Sequence, residues 1–243
     1  MGIRLQLGSR VFAPSWLMTI ATLVLLAAFV SFGRWQWHRA AEKQVLWDSF
    51  ARGTDALIDL ESRSVLDVAR YAHVRISGGY DSGRQFLLDN RTLDGRAGYE
   101  VLTPFRLTNG RWLLVNRGWV PFTGFRDRLP DVGFAAPPEL TLRGRLDELP
   151  SAGLASGRAA PATSGAWPRV TNYPTARELE SALGSPLEAR VLLLDRGEPL
   201  GYERRWRPPG MEPVKHTSYA IQWWSFAFVL LGLYFGLNLR KVN

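Results

Sequence analysis

Residues 16–32 read WLMTIATLVLLAAFVSF, and residues 219–239 read YAIQWWSFAFVLLGLYFGLNL. The first is an apolar run of 17 residues softened only by Thr19, Thr22 and Ser31; the second runs for 21. At about 1.5 Å of rise per helical residue they reach roughly 25 and 31 Å, enough to cross the hydrocarbon core of a bilayer. The chain therefore reads as two membrane helices with everything polar between them. The intervening stretch, Arg34–Lys215, is long enough for one ordinary core and too short for two.

Charge follows this plan. The formal net charge is +8, and four of the cations, Arg4, Arg10, Arg240 and Lys241, flank the runs on their outer-terminal sides. The remaining +4 is spread over a loop that holds every Asp and Glu, with no dense basic patch, so nucleic acid is not an expected partner. The terminal cations predict that both tails are cytoplasmic, N-in/C-in. No A-x-A-like cleavage site follows the first run, where Gly33-Arg34-Trp35-Gln36 stands, so it reads as an uncleaved anchor. The short N-terminal tail leaves no room for an organelle transit peptide, which favours a bacterial source. The expected layout is a cytoplasmic tail over 1–13, a membrane helix over 14–33, a periplasmic α+β domain over 34–217, a second membrane helix over 218–239 and a cytoplasmic tail over 240–243. Pro150–Pro168, rich in Ala, Ser, Gly and Pro, reads as a flexible insertion.

Between the spans the pattern changes from helical to alternating. The first helix is expected to continue to about Arg52, and Ser62–Arg70 reads as a short helix. Ala72–Tyr80, Gln85–Asp89, Tyr99–Leu107, Trp112–Val120, Glu139–Asp147 and Arg190–Arg196 read as strands. Asn109-Gly110 predicts a hairpin. Thr175-Ala-Arg-Glu178 has the form of a capping box opening a helix to Leu183, with Gly184 past its end. The fold class is thus two terminal transmembrane helices flanking a mainly antiparallel β-sheet or open-barrel domain with a few short helices.

The absence of cysteine excludes disulfides, thiolate metal sites and a cysteine nucleophile. There is no G-x-S-x-G, P-loop or H-E-x-x-H, so the chain does not read as an enzyme. The residue that draws attention is His216, at the lip of the second run. Tyr219, Ala220 and Trp223 follow at helical spacing on its face. A flat apolar ligand could stack there while the imidazole binds its metal, as a proximal histidine binds haem; the aromatic residues also fit an interfacial belt, the reading given to Trp224. Gly232 and Gly236 form a GxxxG. It predicts that the spans pack on each other in their inner halves and splay outside, around a ligand near His216, Trp35 and Gln36. Arg117 and Trp119, in Asn116-Arg-Gly-Trp-Val-Pro121, alternate onto one strand face, as a structural lock or as a docking surface.

Four segments together resemble the surfeit locus protein 1 family. Gly33, Trp35, Gln36, Arg39 and Lys43 match its L-G-x-W-Q-x-x-R-x-x-W-K pattern, where Phe32 and Glu42 depart from it. Val115-Asn-Arg-Gly-Trp-Val-Pro121 matches its V-N-R-G-W-V-P, preceded by Gly98-Tyr99 and Thr103-Pro104-Phe105. His216-x-x-Tyr219-Ala220-x-Gln222-Trp223 resembles its closing H-x-x-Y-A-x-Q-W, with Lys215 where Asn usually stands. The resemblance implies an inner-membrane assembly factor for cytochrome c oxidase that transiently binds haem a. His216 would be the iron ligand. The implied partners are oxidase subunit I, the machinery that makes and inserts haem a, and membrane lipid. A scaffold that binds oxidase subunits without holding haem is the alternative reading.

Overall fold

The computed structural model describes residues 5–52, 57–152 and 157–241. In chain order its elements are β1 (Leu5–Leu7), β2 (Arg10–Phe12), α1 (Trp16–Arg52), β3 (Ile58–Asp59), β4 (His73–Tyr80), β5 (Phe86–Leu93), β6 (Arg96–Leu107) and β7 (Trp112–Pro121). They continue as β8 (Leu140–Glu148), β9 (Arg169–Thr171), α2 (Ala176–Leu183), β10 (Arg190–Leu194), α3 (Pro213–Asn238) and β11 (Leu239–Lys241). Two compact units result: Met1–Asp48 with Pro208–Asn243, and Ser49–Arg207.

The first unit holds α1 as far as Asp48, and α3; both helices are long and apolar enough to cross a membrane. Only 11% of the most apolar 18-residue stretch of each is buried, compatible with helices that face lipid. α3 opens with Pro213 in its first turn, where a missing N–H costs nothing. The helices meet through small residues: Gly33, Ala40, Ala220 and Ala227 are all buried. A Cβ on Gly33 would lie 2.4 Å from the Trp224 indole, so only glycine permits the approach. Trp223 packs on Phe29 and Phe32, with ring centroids 5.8 and 5.1 Å away, and Thr19 Oγ1 shares a 2.8 Å hydrogen bond with Tyr234 Oη.

The GxxxG expectation is corrected here. Gly232 and Gly236 have nothing within 4 Å of a built Cβ. Ala220, Ala227 and Tyr234 recur every seven residues along the face turned to α1. At about 100° per residue, Gly232 and Gly236 fall on roughly the opposite side. The tails also carry structure that the sequence did not suggest. β1, β2 and β11 form a three-stranded antiparallel sheet in which Arg10 lies opposite Lys241, so the two tails share one end of the helix pair. Arg4, one of the four terminal cations, lies outside the described residues, as do 242–243.

The second unit is an eight-stranded sheet in the order β3-β4-β8-β10-β7-β6-β5-β9, with β4 pairing again with β6. That extra pairing closes β4, β8, β10, β7 and β6 into a ring. β4 pairs with β8 from His73 to Gly78 and with β6 from Gly78 to Tyr80. Gly78 sits at the changeover with φ +150°, and a Cβ there would lie 2.0 Å from the Arg106 carbonyl oxygen. The corner therefore requires glycine. Alternation fills the ring: Val74, Ile76, Phe105, Leu107, Leu113, Val115, Leu142, Leu146, Leu192 and Leu194 share one core cluster. The intervening Leu114, Val191 and Leu193 join Phe86, Leu88 and Leu102 under α2, which buries Leu179, Ala182 and Leu183.

The predicted strands are present with ends shifted by up to four residues. The Asn109-Gly110 hairpin forms, with Gly110 at φ +85°. Three pairings are parallel, β10 with β7, β5 with β9 and β3 with β4. The expected helix at Ser62–Arg70 is replaced by turns. Ser64 Oγ accepts the Leu66 N–H, and Leu60, Val65 and Val68 are drawn into the barrel core, so side chain and burial both oppose a helix. Of the Pro150–Pro168 stretch, residues 153–156 lie outside those described. Its far end packs Trp167 edge-on against Phe86 at 5.1 Å.

α2 carries the predicted capping box. Glu178 N–H donates to Thr175 Oγ1 at 3.3 Å, and Thr175 N–H donates to Glu178 Oε2 at 2.8 Å. Thr175→Ala is expected to cost about 1 kcal/mol, read as a lower thermal midpoint of the full chain in detergent. The Thr175 N–H, then Arg158, hold Glu178 below the ordinary glutamate value. The cap's contribution is therefore complete above that ordinary value and fades as pH falls through the lowered one.

Candidate functional site

His216 lies in the first turn of α3, half-buried, and Gln36 lies mid-way along α1. Gln36 Oε1 is 2.8 Å from His216 Nδ1. An amide oxygen only accepts, so Nδ1 carries the proton and donates. In the neutral imidazole the other nitrogen, Nε2, is then the one with the lone pair, and it has no hydrogen-bond partner among the described residues. This is the arrangement in which a second residue fixes the tautomer and ring orientation of a metal-binding histidine.

The surroundings differ from the predicted cleft. Around Gln36 and His216 the two helices are held together by the bond between these two side chains, by Gly33 against Trp224, and by Trp37 packed at a tilt on Trp224 with ring centroids 5.7 Å apart. They do not splay. Trp224, read as an interfacial belt residue, is 38% exposed and also takes part in the helix crossing through Gly33. Trp223 is packed against Phe29 and Phe32, deeper along α3, and is not free to stack beside the imidazole. Tyr219 is 44% exposed, one turn from His216. Trp35 is 59% exposed, whereas Gln36 is engaged with α3 through His216. Beside them, an open cavity of about 390 Å³ is lined by Trp37, Ala40, Ala41, Gln44, Pro213, Val214 and Thr217. A planar apolar group would have to lie on the surface of the helix pair rather than between the helices.

Among the described residues no cluster of three or more His, Asp or Glu could cage a metal ion. A porphyrin iron needs no such cluster, since one axial imidazole suffices. The donor set fits a haem: one oriented imidazole on an apolar, partly aromatic surface.

Arg117 and Trp119 are not on a docking surface. Arg117 is 2% exposed inside the sheet unit. Its Nε donates to the Leu200 carbonyl at 2.7 Å and its Nη1 to Gln85 Oε1 at 3.0 Å. The guanidinium lies 3.7 Å from the Phe134 ring centroid and 4.8 Å from that of Tyr202, and not on Trp119. Gln85 Oε1 also accepts from Thr103 Oγ1, while Gln85 Nε2 donates to the carbonyls of Ser82 and Val132. Burial lowers the Arg117 pKa from its ordinary value, the direction expected for a cation with ring faces and neutral acceptors around it. Trp119 is 7% exposed, and its Nε1 donates to the Arg91 carbonyl. Arg96, not Arg117, lies over its ring at 5.3 Å.

The Asn116–Pro121 motif is therefore a lock, and what it locks is the segment leading to α3. Tyr202 N–H donates to the Arg117 carbonyl at 2.7 Å, and Trp119 N–H to the Glu203 carbonyl at 2.8 Å. Gly118, at φ +116°, lets this strap pass: a Cβ would come within 2.7 Å of the Glu203 carbonyl oxygen. Gly98 is likewise covered by Trp119, at 2.4 Å from a built Cβ.

Comparison with known proteins gives a consistent answer. The sequence profile of the SURF1 family matches residues 23–228, which include Gln36, the whole sheet unit and His216. A SURF1-like protein from Rickettsia felis is 30% identical over 103 residues, 41% of this chain and 45% of its own length. A SURF1-like protein from Mycobacterium bovis is 27% identical over 234 residues, 89% of this chain and 80% of its own. One from Mycobacterium tuberculosis shows the same figures.

Proposed function

This chain belongs to the SURF1 (surfeit locus protein 1) family, and on that premise we propose that it is a non-enzymatic assembly factor for cytochrome c oxidase, binding haem a through His216 and passing it to oxidase subunit I. The observation that carries the reading is the 2.8 Å bond from His216 Nδ1–H to Gln36 Oε1, which presents Nε2 as a ligand. When bound, the haem supplies the iron that this nitrogen coordinates. The protein's part is to orient the imidazole, offer an apolar surface, and let go. A single fixed protein ligand on an open surface suits release better than an enclosed pocket with two.

We place the protein in a bacterial inner membrane, N-in/C-in, with the sheet domain in the periplasm. Two helices of membrane-spanning character support this, as does the tail sheet that gathers Arg10, Arg240 and Lys241 at one end of the pair. The scaffold alternative loses the residues named for it, because Arg117 and Trp119 are buried.

In a strain lacking this chain, oxidase subunit I is expected to accumulate short of haem a, and the wild-type chain should restore it. Full haem a occupancy of subunit I in the deletion strain would overturn the proposal.

A further inference from the structure

Five arginines, Arg145, Arg196, Arg204, Arg205 and Arg207, line one cavity of the sheet unit, a space of about 460 Å³ with Phe50 and Trp206 as aromatic walls. Asp195 is the single carboxylate on its lining, and it is taken by His73 Nε2. Arg205 has carboxylates of its own, Asp94 and Glu203, each at 2.8 Å.

Arg145 and Arg196 are differently placed. Arg145 donates Nη1 to the Phe50 carbonyl and lies 4.8 Å over the Phe50 ring; Arg196 donates Nε to the Arg204 carbonyl at 2.7 Å. Neither meets a carboxylate among the described residues. A guanidinium has five N–H donors, so each has most of its donors unspent at the cavity wall. Arg204 is buried, and its N–H groups go to the carbonyls of Asp195, Arg196, Glu198 and Tyr202. All these hydrogen bonds thus go to neutral carbonyls, while the Asp195 and Glu198 carboxylates act on it only through space. Burial outweighs that attraction and lowers its pKa.

A concavity lined by one sign of charge concentrates its field on whatever enters. The volume lies in the range of small-molecule sites, roughly 300–1,000 Å³. We infer that this cavity binds a small polyanion, a molecule carrying two or more carboxylate or phosphate groups, held by the unspent donors of Arg145 and Arg196 in the field of Arg204. Planar guanidinium forks match both oxyanions. The phosphate could be free or could belong to a lipid headgroup. The residues are distinct from those around His216, so the inference stands independently of haem binding.

The test uses the full chain in phosphatidylcholine nanodiscs, titrated calorimetrically with pyrophosphate. Saturable binding is expected, weakened about tenfold or more in Arg196→Gln and again in Arg145→Gln/Arg196→Gln, and unchanged in the exposed control Arg177→Gln. Arg196→Gln leaves the packing on Phe50 intact, so equal thermal midpoints would separate lost binding from lost fold. Repeating the titration in discs containing phosphatidylglycerol distinguishes the sources. Pyrophosphate binding that disappears there assigns the site to a lipid headgroup, and binding that persists assigns it to a free anion. No saturable binding in phosphatidylcholine discs, or binding equal in wild type and the double variant, would overturn the inference.

Discussion

Arg117→Ala should destabilise the sheet domain by roughly 3–5 kcal/mol, the range for removing one member of a buried charged network. For a domain of this size that is a fall in thermal midpoint of about 10 °C. The loss has three sources in the structure. The Leu200 carbonyl and one lone pair of Gln85 Oε1 lose their donors. The faces of Phe134 and Tyr202 lose the cation between them. The space left is lined by rings too rigid to collapse fully. Because Tyr202 and Glu203 run along β7, the strap leading to α3 should loosen with the barrel. Arg117→Lys should recover only part of the loss, since an ammonium cannot lie flat between two rings while reaching both acceptors. An Arg117→Ala protein with wild-type thermal midpoint that no longer associates with subunit I would return the residue to a docking role.

His216→Ala should leave the protein folded and strip it of haem. The imidazole is half-buried at the start of α3 and makes one hydrogen bond, to Gln36. The helix pair keeps Gly33 against Trp224, Trp223 against Phe29 and Phe32, and Thr19 against Tyr234. Removing the imidazole removes the one oriented nitrogen ligand at this site. Gln36→Leu separates ligation from orientation. The nitrogen remains, but nothing fixes its tautomer, and haem should transfer to a competing acceptor such as apomyoglobin roughly 10–100 times more readily.

Much of this architecture is legible in the chain. The two apolar runs set the helices, strict alternation set the strands, and Asn109-Gly110 and Thr175–Glu178 marked a hairpin and a helix start, each through a local physical rule. Ring closure was not legible. It depends on β4 changing partners at Gly78 and on β10 pairing parallel to β7, both long-range events with no local signature. The tail strands, three residues each, are too short for any period to show. At the site, the neighbourhood of Gln36 and His216 was readable because depth along each helix can be counted. The phase of the helix crossing was misread because GxxxG outweighed the heptad spacing of Ala220, Ala227 and Tyr234. Arg117 carried a signal that went unused: Leu113, Val115 and Arg117 alternate in phase, and the first two face the barrel core. A guanidinium in that register points inward, and only the rings of Phe134 and Tyr202, distant in sequence, make such burial tolerable.

The central claim, that His216 holds haem a, meets its most direct test in the haem complement of the purified chain. Wild type and His216→Ala should be made in the same haem a-producing cells, and haem per polypeptide determined from the pyridine haemochrome spectrum. About one haem a per wild-type chain and background levels in His216→Ala are expected, in keeping with a single proximal imidazole. An undiminished haem a complement in folded His216→Ala protein would contradict the claim.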